Sequence, residues 1–336
     1  MLHINILTRF NFPLFTQHAD AGRFDDRIRF VENSYEDLDW DLVIVFDGLP
    51  SPRTMRVKSG GLIFIAGEPP QGVHYTSAFL DQFDRSFCAH AYARKRTSNS
   101  PEQHFNDWHF GLNPSDRSYR WTHNALRDLP APVKTKDMSV IMSNMACMPN
   151  HLKRRHFLAR LQERFGERVD VFGRGHRFIP YKDDALLPYR FHVCIENCEE
   201  PDLWTEKLSD PFLGWSMPVY GGCPNVHRYF PEDAVVRLDM DDVEGSLATI
   251  GRLLENPQAE YNRRYDALQI GRQRVLGDYN ITTLAERLSA SAASAAVTER
   301  TVHPNEMFRG YTLANYSLRV RRLLYRRYFL LTQAKH

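Results

Sequence analysis

The densest run of chemistry-bearing residues is Phe191-His-Val-Cys-Ile-Glu-Asn-Cys-Glu-Glu-Pro-Asp-Leu-Trp-Thr-Glu-Lys-Leu208. A strand pattern ends at Glu196-Asn197, an acidic Pro-containing loop follows, and a helix pattern starts around Thr205 with Glu206 and Lys207 in its first turn. A helix N-terminus presents free N–H groups and a positive dipole end, which suits a phosphate. Lys207 adds a point charge to such a site, and Glu206 has the oxygens to accept from a pair of ribose hydroxyls. The same spacing suits an N-capped surface helix whose Glu and Lys are merely solvated. Spacing alone leaves both readings open.

The elements that would hold this run alternate as in a parallel α/β sheet, with short apolar stretches bounded by Gly, Pro and Asp between helical patterns. In the first half the strand patterns are His3–Thr8, Leu42–Phe46, Gly61–Ala66 and Ser86–His90. In the second half they are Ser139–Asn144, Val169–Gly173, His192–Glu196, Met217–Tyr220 and Val235–Leu238. Between the sets, residues 112–137 are polar and rich in proline (Pro114, Pro130, Pro132), which marks a domain boundary. Helical spacing links Leu158, Leu161 and Phe165, with Arg154 on the same face, and further helices are expected over Val243–Leu254 and Gln258–Ala296. The expected division is 1–130, 138–298 and a tail, 299–336. The expected class is α/β, with two facing Rossmann-like domains and a C-terminal helical tail; ligands in such sheets sit beyond the carboxyl ends of the strands.

The order Phe191, Glu196-Asn197, Thr205-Glu206-Lys207 and Pro218-Val219-Tyr220-Gly221-Gly222 resembles the donor-binding motif of the α-1,3/1,4-fucosyltransferases, glycosyltransferase family 10, in its bacterial form. The resemblance continues through Cys223–Asp239. It is also seen in Val140-Ile-Met-Ser-Asn144 followed by Arg154-Arg155, in Val169-Asp-Val-Phe-Gly-Arg174, and in Gly67-Glu68-Pro69-Pro70 at a strand end. It covers roughly residues 60–285. It implies a GT-B fold, with the acceptor bound by the first domain and GDP-fucose by the second. Carried over residue by residue, it implies Arg154, with Arg155 as the alternative, and Lys207 as phosphate ligands, Glu206 on the ribose, Asn197 near the donor, and Glu68 as general base. His74 and Tyr75, just after the Glu68 turn, are expected either to line the acceptor site or to serve as ordinary loop packing. One departure stands out: Leu203 replaces the family's aromatic, with Trp204 next to it. Inverting transfer of fucose from a β-linked nucleotide needs a carboxylate to take the acceptor proton. The departing diphosphate needs only positive charge, so no general acid is required.

Several other patterns suggest chemistry less strongly. Asp239-Met-Asp241-Asp242 contains the Asp-x-Asp with which other glycosyltransferases hold a metal, but its place after a strand and before a helix reads as N-capping by Asp241 or Asp242. Gly173-Arg174-Gly175-His176 lacks a full phosphate fingerprint and reads as a turn. His104, His109, His151 and His156 have no partners at metal-ligand spacing. The expectation is no metal site and no required cofactor, a divalent cation being at most stimulatory.

Hydrophobic residues make up 43% and charged residues 25% of the 336-residue chain, which excludes a disordered or disulfide-scaffold protein. The formal charge of +2 hides an asymmetry. Residues 301–336 carry seven basic side chains and one acid, a net of +6, while the rest carries 36 against 40, a net of −4. In Tyr311–Leu331 the residues Tyr316, Val320, Leu324 and Tyr328 recur every fourth position, with Arg319, Arg322 and Arg326 on another face. That is the pattern of a helix lying on an anionic membrane surface, or of a helix packed on the body with its arginines in solvent. No nucleic-acid reading fold accompanies it. Five scattered cysteines without a CxxC suggest reduced thiols. With neither a signal-peptide pattern nor an apolar run of about 18 residues, the expected setting is cytoplasmic, peripheral on the inner face of the membrane. The expected partners are GDP-fucose, an oligosaccharide or lipid-linked glycan acceptor and that anionic surface, and no nucleic acid.

Overall fold

The structure is a computed structural model of the chain; it describes all residues except 11–22, 26, 27, 114, 117, 145–148, 293, 294, 309–315, 318, 319, 321, 322, 325, 326 and 328–336. In chain order its strands are β1 (Leu2–Thr8), β2 (Arg23–Asp25), β3 (Ile28–Glu32), β4 (Asp39–Trp40), β5 (Leu42–Phe46), β6 (Arg53–Lys58), β7 (Leu62–Ile65), β8 (Arg85–Phe87), β9 (Asn99–Ser100), β10 (Lys136–Ile141), β11 (Val169–Phe172), β12 (Tyr189–Ile195), β13 (Met217–Gly221), β14 (Val236–Arg237) and β15 (Val297–Val302). The helices are α1 (Ser77–Leu80), α2 (His123–Asp128), α3 (Pro149–Phe165), α4 (Glu206–Leu213), α5 (Val243–Glu255), α6 (Pro257–Arg263), α7 (Tyr265–Leu276), α8 (Ile281–Ala292) and α9 (Asn305–Phe308).

The chain forms two compact units. Unit 1 comprises residues 1–107, 121–129 and 276–312 and is built on a sheet of order β2-β3-β1-β5-β7-β8-β9, parallel from β3 onward. Its central strands are apolar on both faces: Leu7, Val43, Val45 and Phe64 enter one core, while Ile4, Ile6, Leu42, Ile44 and Ile63 enter another with α8. Burial on both sides is why these strands read as unbroken apolar runs. A small sheet, β15-β6-β4, completes the unit.

Unit 2 comprises residues 108–120, 130–275 and 313–336, around an all-parallel sheet of order β11-β10-β12-β13-β14. Each sheet reverses its winding once, between β1 and β5 in unit 1 and between β10 and β12 in unit 2. Loops beyond the strand ends diverge at such a point and leave a crevice.

The units do not follow the single boundary expected from the sequence. Residues 108–120 pack within unit 2, and residues 276–312 return to unit 1. The body therefore extends past 299: β15 pairs antiparallel with β6, Val302 is fully buried, and Asn305 bonds Thr76 and the His74 carbonyl. The expected helix Gln258–Ala296 is instead α6, α7 and α8, ending at Ala292. β10 begins and ends three residues earlier than expected, and β12 begins three earlier. Most of the expected amphipathic tail, including Arg319, Arg322, Arg326 and Tyr328, lies outside the described residues.

Candidate functional site

The site in unit 2 is built at the β10/β12 crevice. β12 delivers Glu196 and Asn197 just past its carboxyl end. The Glu196 N–H extends the ladder to the Gly221 carbonyl at 2.8 Å. Its carboxylate is buried and accepts from the Thr205 N–H (2.8 Å) and hydroxyl (2.8 Å). That fixes Thr205, whose side chain caps α4 by accepting from the Lys207 N–H. The cap is what places Glu206 and Lys207 in the first turn. The Lys207 ammonium stands 3.1 Å from Glu206 Oε1, 3.2 Å from Thr205 Oγ1 and 3.6 Å from Glu196 Oε2. Burial alone would raise the Glu206 pKa, but Lys207, His109 and Lys182 outweigh it and hold the carboxyl well below its ordinary value. Burial works against the Lys207 ammonium in turn, yet Glu206 and Glu196 keep it charged.

Arg154 comes from the second turn of α3, is buried, and donates through Nη1 to Asn197 Oδ1. His151, one turn earlier, also bonds Asn197; burial and then Arg154 lower its pKa to about 4, so its ring is neutral. The far end of α4 is anchored as well. Asp210 is fully buried and accepts from the Lys182 ammonium at 2.5 Å and the His109 N–H at 3.0 Å. Lys134 donates to the carbonyls of Leu186, Leu187 and Gly214 at 2.8–3.3 Å, capping the negative end of the helix.

These residues surround one cavity of about 680 Å³, lined by Arg154, Asn197, Glu206 and Lys207 together with His109, Lys182, His192 and the Gly173-Arg174 turn. It is large enough for a nucleotide. Four of the five donor-side residues expected from the sequence thus meet on one cavity. Arg154 is among its lining residues and Arg155 is not. Leu203 and Trp204 are both buried, the indole packed edge-on against Phe230 at 5.1 Å, and neither lines the cavity. His109, Lys182 and His192 were not foreseen: the first two are brought in by tertiary packing, and the third sits inside what reads as a plain strand. Asp242 accepts from the Gly245 N–H at 2.9 Å and caps α5, as its position before a helix suggests.

In unit 1, Glu68 lies on the turn after β7, half-buried. Asp47, just past β5 and held at φ 61°, accepts from the N–H groups of Gly67 (3.3 Å) and Glu68 (3.1 Å) and from the Tyr75 hydroxyl, and pairs with Arg9 at 2.5 Å. His90 grips the same turn from the other side through Nε2 and the Glu68 carbonyl at 2.8 Å. The Tyr75 expectation therefore takes its packing form: the ring is fully buried and its hydroxyl is spent on Asp47. His74 is half-buried, 4.4 Å from the Tyr92 ring.

The matrix of Arg154, Glu206 and Lys207 falls inside a segment with a recognised signature. The model of the glycosyltransferase family 10 (fucosyltransferase) C-terminal domain matches residues 131–271. The matched segment lies within unit 2. The chain is 32% identical over 133 residues to the 4-galactosyl-N-acetylglucosaminide 3-alpha-L-fucosyltransferase FUT6 of Homo sapiens, covering 38% of this chain and 36% of that protein. It is 33% identical over 99 residues to the human 3-galactosyl-N-acetylglucosaminide 4-alpha-L-fucosyltransferase FUT3, covering 28% of this chain and 27% of that one. The matched region thus spans about a third of the length of these curated relatives. A solved structure, an alpha1,3-fucosyltransferase with GDP-fucose, superposes with a TM-score of 0.50 at 19% identity, covering 86% of this chain and 88% of that one. That likeness is one of fold, the GT-B class, and it extends beyond residues 131–271. No helix among the described residues is long and apolar enough to cross a membrane.

Proposed function

We propose that this protein is an inverting fucosyltransferase that moves fucose from GDP-fucose to a glycan hydroxyl in α-1,3 or α-1,4 linkage. The observation that carries the reading is the pair of contacts Arg154–Asn197 and Glu206–Lys207 beside the N-terminal end of α4, inside the segment that matches the family 10 model. The two cations are held by protein oxygens of Asn197, Thr205, Glu196 and Glu206. A diphosphate takes over those positive partners: the Arg154 fork suits two phosphate oxygens and Lys207 a third. Glu206, kept ionised by Lys207, accepts from the ribose hydroxyls. As the glycosidic bond breaks, negative charge grows on the β-phosphate and these fixed cations stabilise it without reorganising. Glu68 takes the proton of the attacking hydroxyl. The reaction so written needs no cofactor. The acceptor is an oligosaccharide or lipid-linked glycan; the galactosyl-N-acetylglucosaminides named for the relatives are the first to try.

The test is incubation of the full chain with GDP-fucose, UDP-galactose or UDP-glucose and a panel of galactosyl-N-acetylglucosaminide acceptors, read by mass. A product heavier by one fucosyl residue from GDP-fucose alone is the expected result. Transfer from a UDP-sugar instead would move the protein to another donor within the same fold.

A further inference from the structure

At the crevice, β10 and β12 run side by side with Ser139 opposite His192. Both side chains are buried, at 0% and 2% exposure. Ser139 Oγ lies 2.5 Å from the Ala185 carbonyl oxygen and 2.8 Å from His192 Nδ1. A carbonyl only accepts, and two oxygens so close need a proton between them, which only the hydroxyl supplies. With that proton committed, the ring nitrogen facing Ser139 must be the donor, so Nδ1 carries the hydrogen. Burial, reinforced by the Lys182 charge, lowers the ring's pKa to about 3, so the imidazole is neutral and Nε2 is bare. The ring lines the donor cavity, and His192 has no other hydrogen bond among the described residues.

The cavity lining is mixed along β12. Arg154, Glu206 and Lys207 charge it beyond the strand ends. Ile141, Cys194, Ile179 and the exposed Phe178 add apolar surface, with Lys182 close enough to act on the His192 ring. Five residues of chain separate Asn197 from His192, about 16 Å at about 3.3 Å per residue, a reach comparable with that of a nucleoside diphosphate. Flat apolar walls suit a planar base better than a polyhydroxylated sugar.

We propose that His192 reads the nucleobase, its Nε2 accepting a hydrogen bond from a ring N–H that lies next to a carbonyl. Guanine and uracil carry that edge, whereas adenine presents a ring acceptor there, and two facing lone pairs leave both groups unpaired. Ser139 is the positioning residue that fixes the tautomer. The inference rests on reading this cavity as the donor site.

Calorimetric titration of the full chain with GDP and ADP, on wild type, His192→Phe and His192→Gln, tests it. Wild type should prefer GDP. His192→Phe should weaken GDP at least tenfold and leave ADP within twofold, while His192→Gln, whose side-chain carbonyl restores an acceptor, should keep most of the preference. A folded His192→Phe with an unchanged GDP/ADP ratio overturns the proposal. Thermal unfolding shows whether the variants fold. If they do not, the ring 15N resonances of the wild type decide: Nε2 should be unprotonated and shift on saturation with GDP, and an unmoved resonance overturns the proposal while leaving the donor site standing. A wild type that binds neither nucleotide would overturn the donor-site reading itself and this inference with it.

Discussion

Glu68 and Asp47 divide one turn between them: Asp47 holds its backbone, and Glu68 is carried on it. Asp47 spends its oxygens on two backbone N–H groups, a tyrosine hydroxyl and Arg9. Burial pushes its pKa up, and those donors oppose the rise. Glu68 is then presented on a turn fixed from both sides, by Asp47 and by His90. If Glu68 is the base, Glu68→Gln should lower kcat by about 10²–10⁴-fold, the usual weight of general base catalysis, with GDP affinity unchanged in a direct titration. Normal turnover by that variant would mean another group takes the proton. The motif Gly67-Glu68-Pro69-Pro70 made Glu68 visible in the sequence, but Asp47 was not. It lies some twenty residues upstream at the end of an ordinary apolar strand, and only the parallel pairing of β5 with β7 brings it under the turn.

The elements explain why the cavity's Glu206–Lys207 cluster was readable in the sequence and the rest of its lining was not. Thr205-Glu206-Lys207 is one contiguous stretch, and the cap that orders it is local, so sequence spacing carries the geometry. Strands β5 and β7 were equally plain because both faces are buried. β6 and β15 were missed because they pair at an exposed edge, where charged residues such as Arg56 and Glu299 alternate outward and mask the strand period. The Gly173-Arg174 turn reads in sequence as a generic turn, yet it lines the cavity. Gly173 has φ 117°, and a Cβ there would lie 2.4 Å from the Met142 carbonyl oxygen. Gly173→Ala should therefore cost about 3 kcal/mol in denaturant titration, from backbone strain plus collision, and weaken nucleotide binding as the turn moves. A variant of wild-type stability would show that the β11–α3 side of the crevice tolerates displacement.

For the whole molecule, buried neutral histidines link stability to pH. Burial lowers the pKa values of His90 and His151 to about 4 and of His192 to about 3, against about 6.5 in the unfolded chain. The unfolded state thus takes up protons that the folded state refuses. Stability is full above about pH 6.5 and falls as the pH drops toward 4, by roughly 3 kcal/mol for His90 alone. Chemical denaturation at pH 7.5 and pH 5 should show the loss, and equal midpoints would contradict it. The charge sum of +2 conceals a second property of the whole chain, the +6 of residues 301–336. Because α9 packs within unit 1, a truncation should begin after Phe308. It should remove binding to anionic vesicles while leaving the thermal midpoint in place; equal sedimentation of both chains would favour a tail packed on the body. The central claim, a guanosine diphosphate site built on Arg154, Glu206 and Lys207, is tested most directly by thermal shift of the full chain with GDP, UDP and ADP. GDP at a hundred times its Kd should stabilise by about 2.7 kcal/mol, and Lys207→Ala should lose that shift. Stabilisation by UDP and not by GDP, or a GDP shift untouched by Lys207→Ala, would contradict the account.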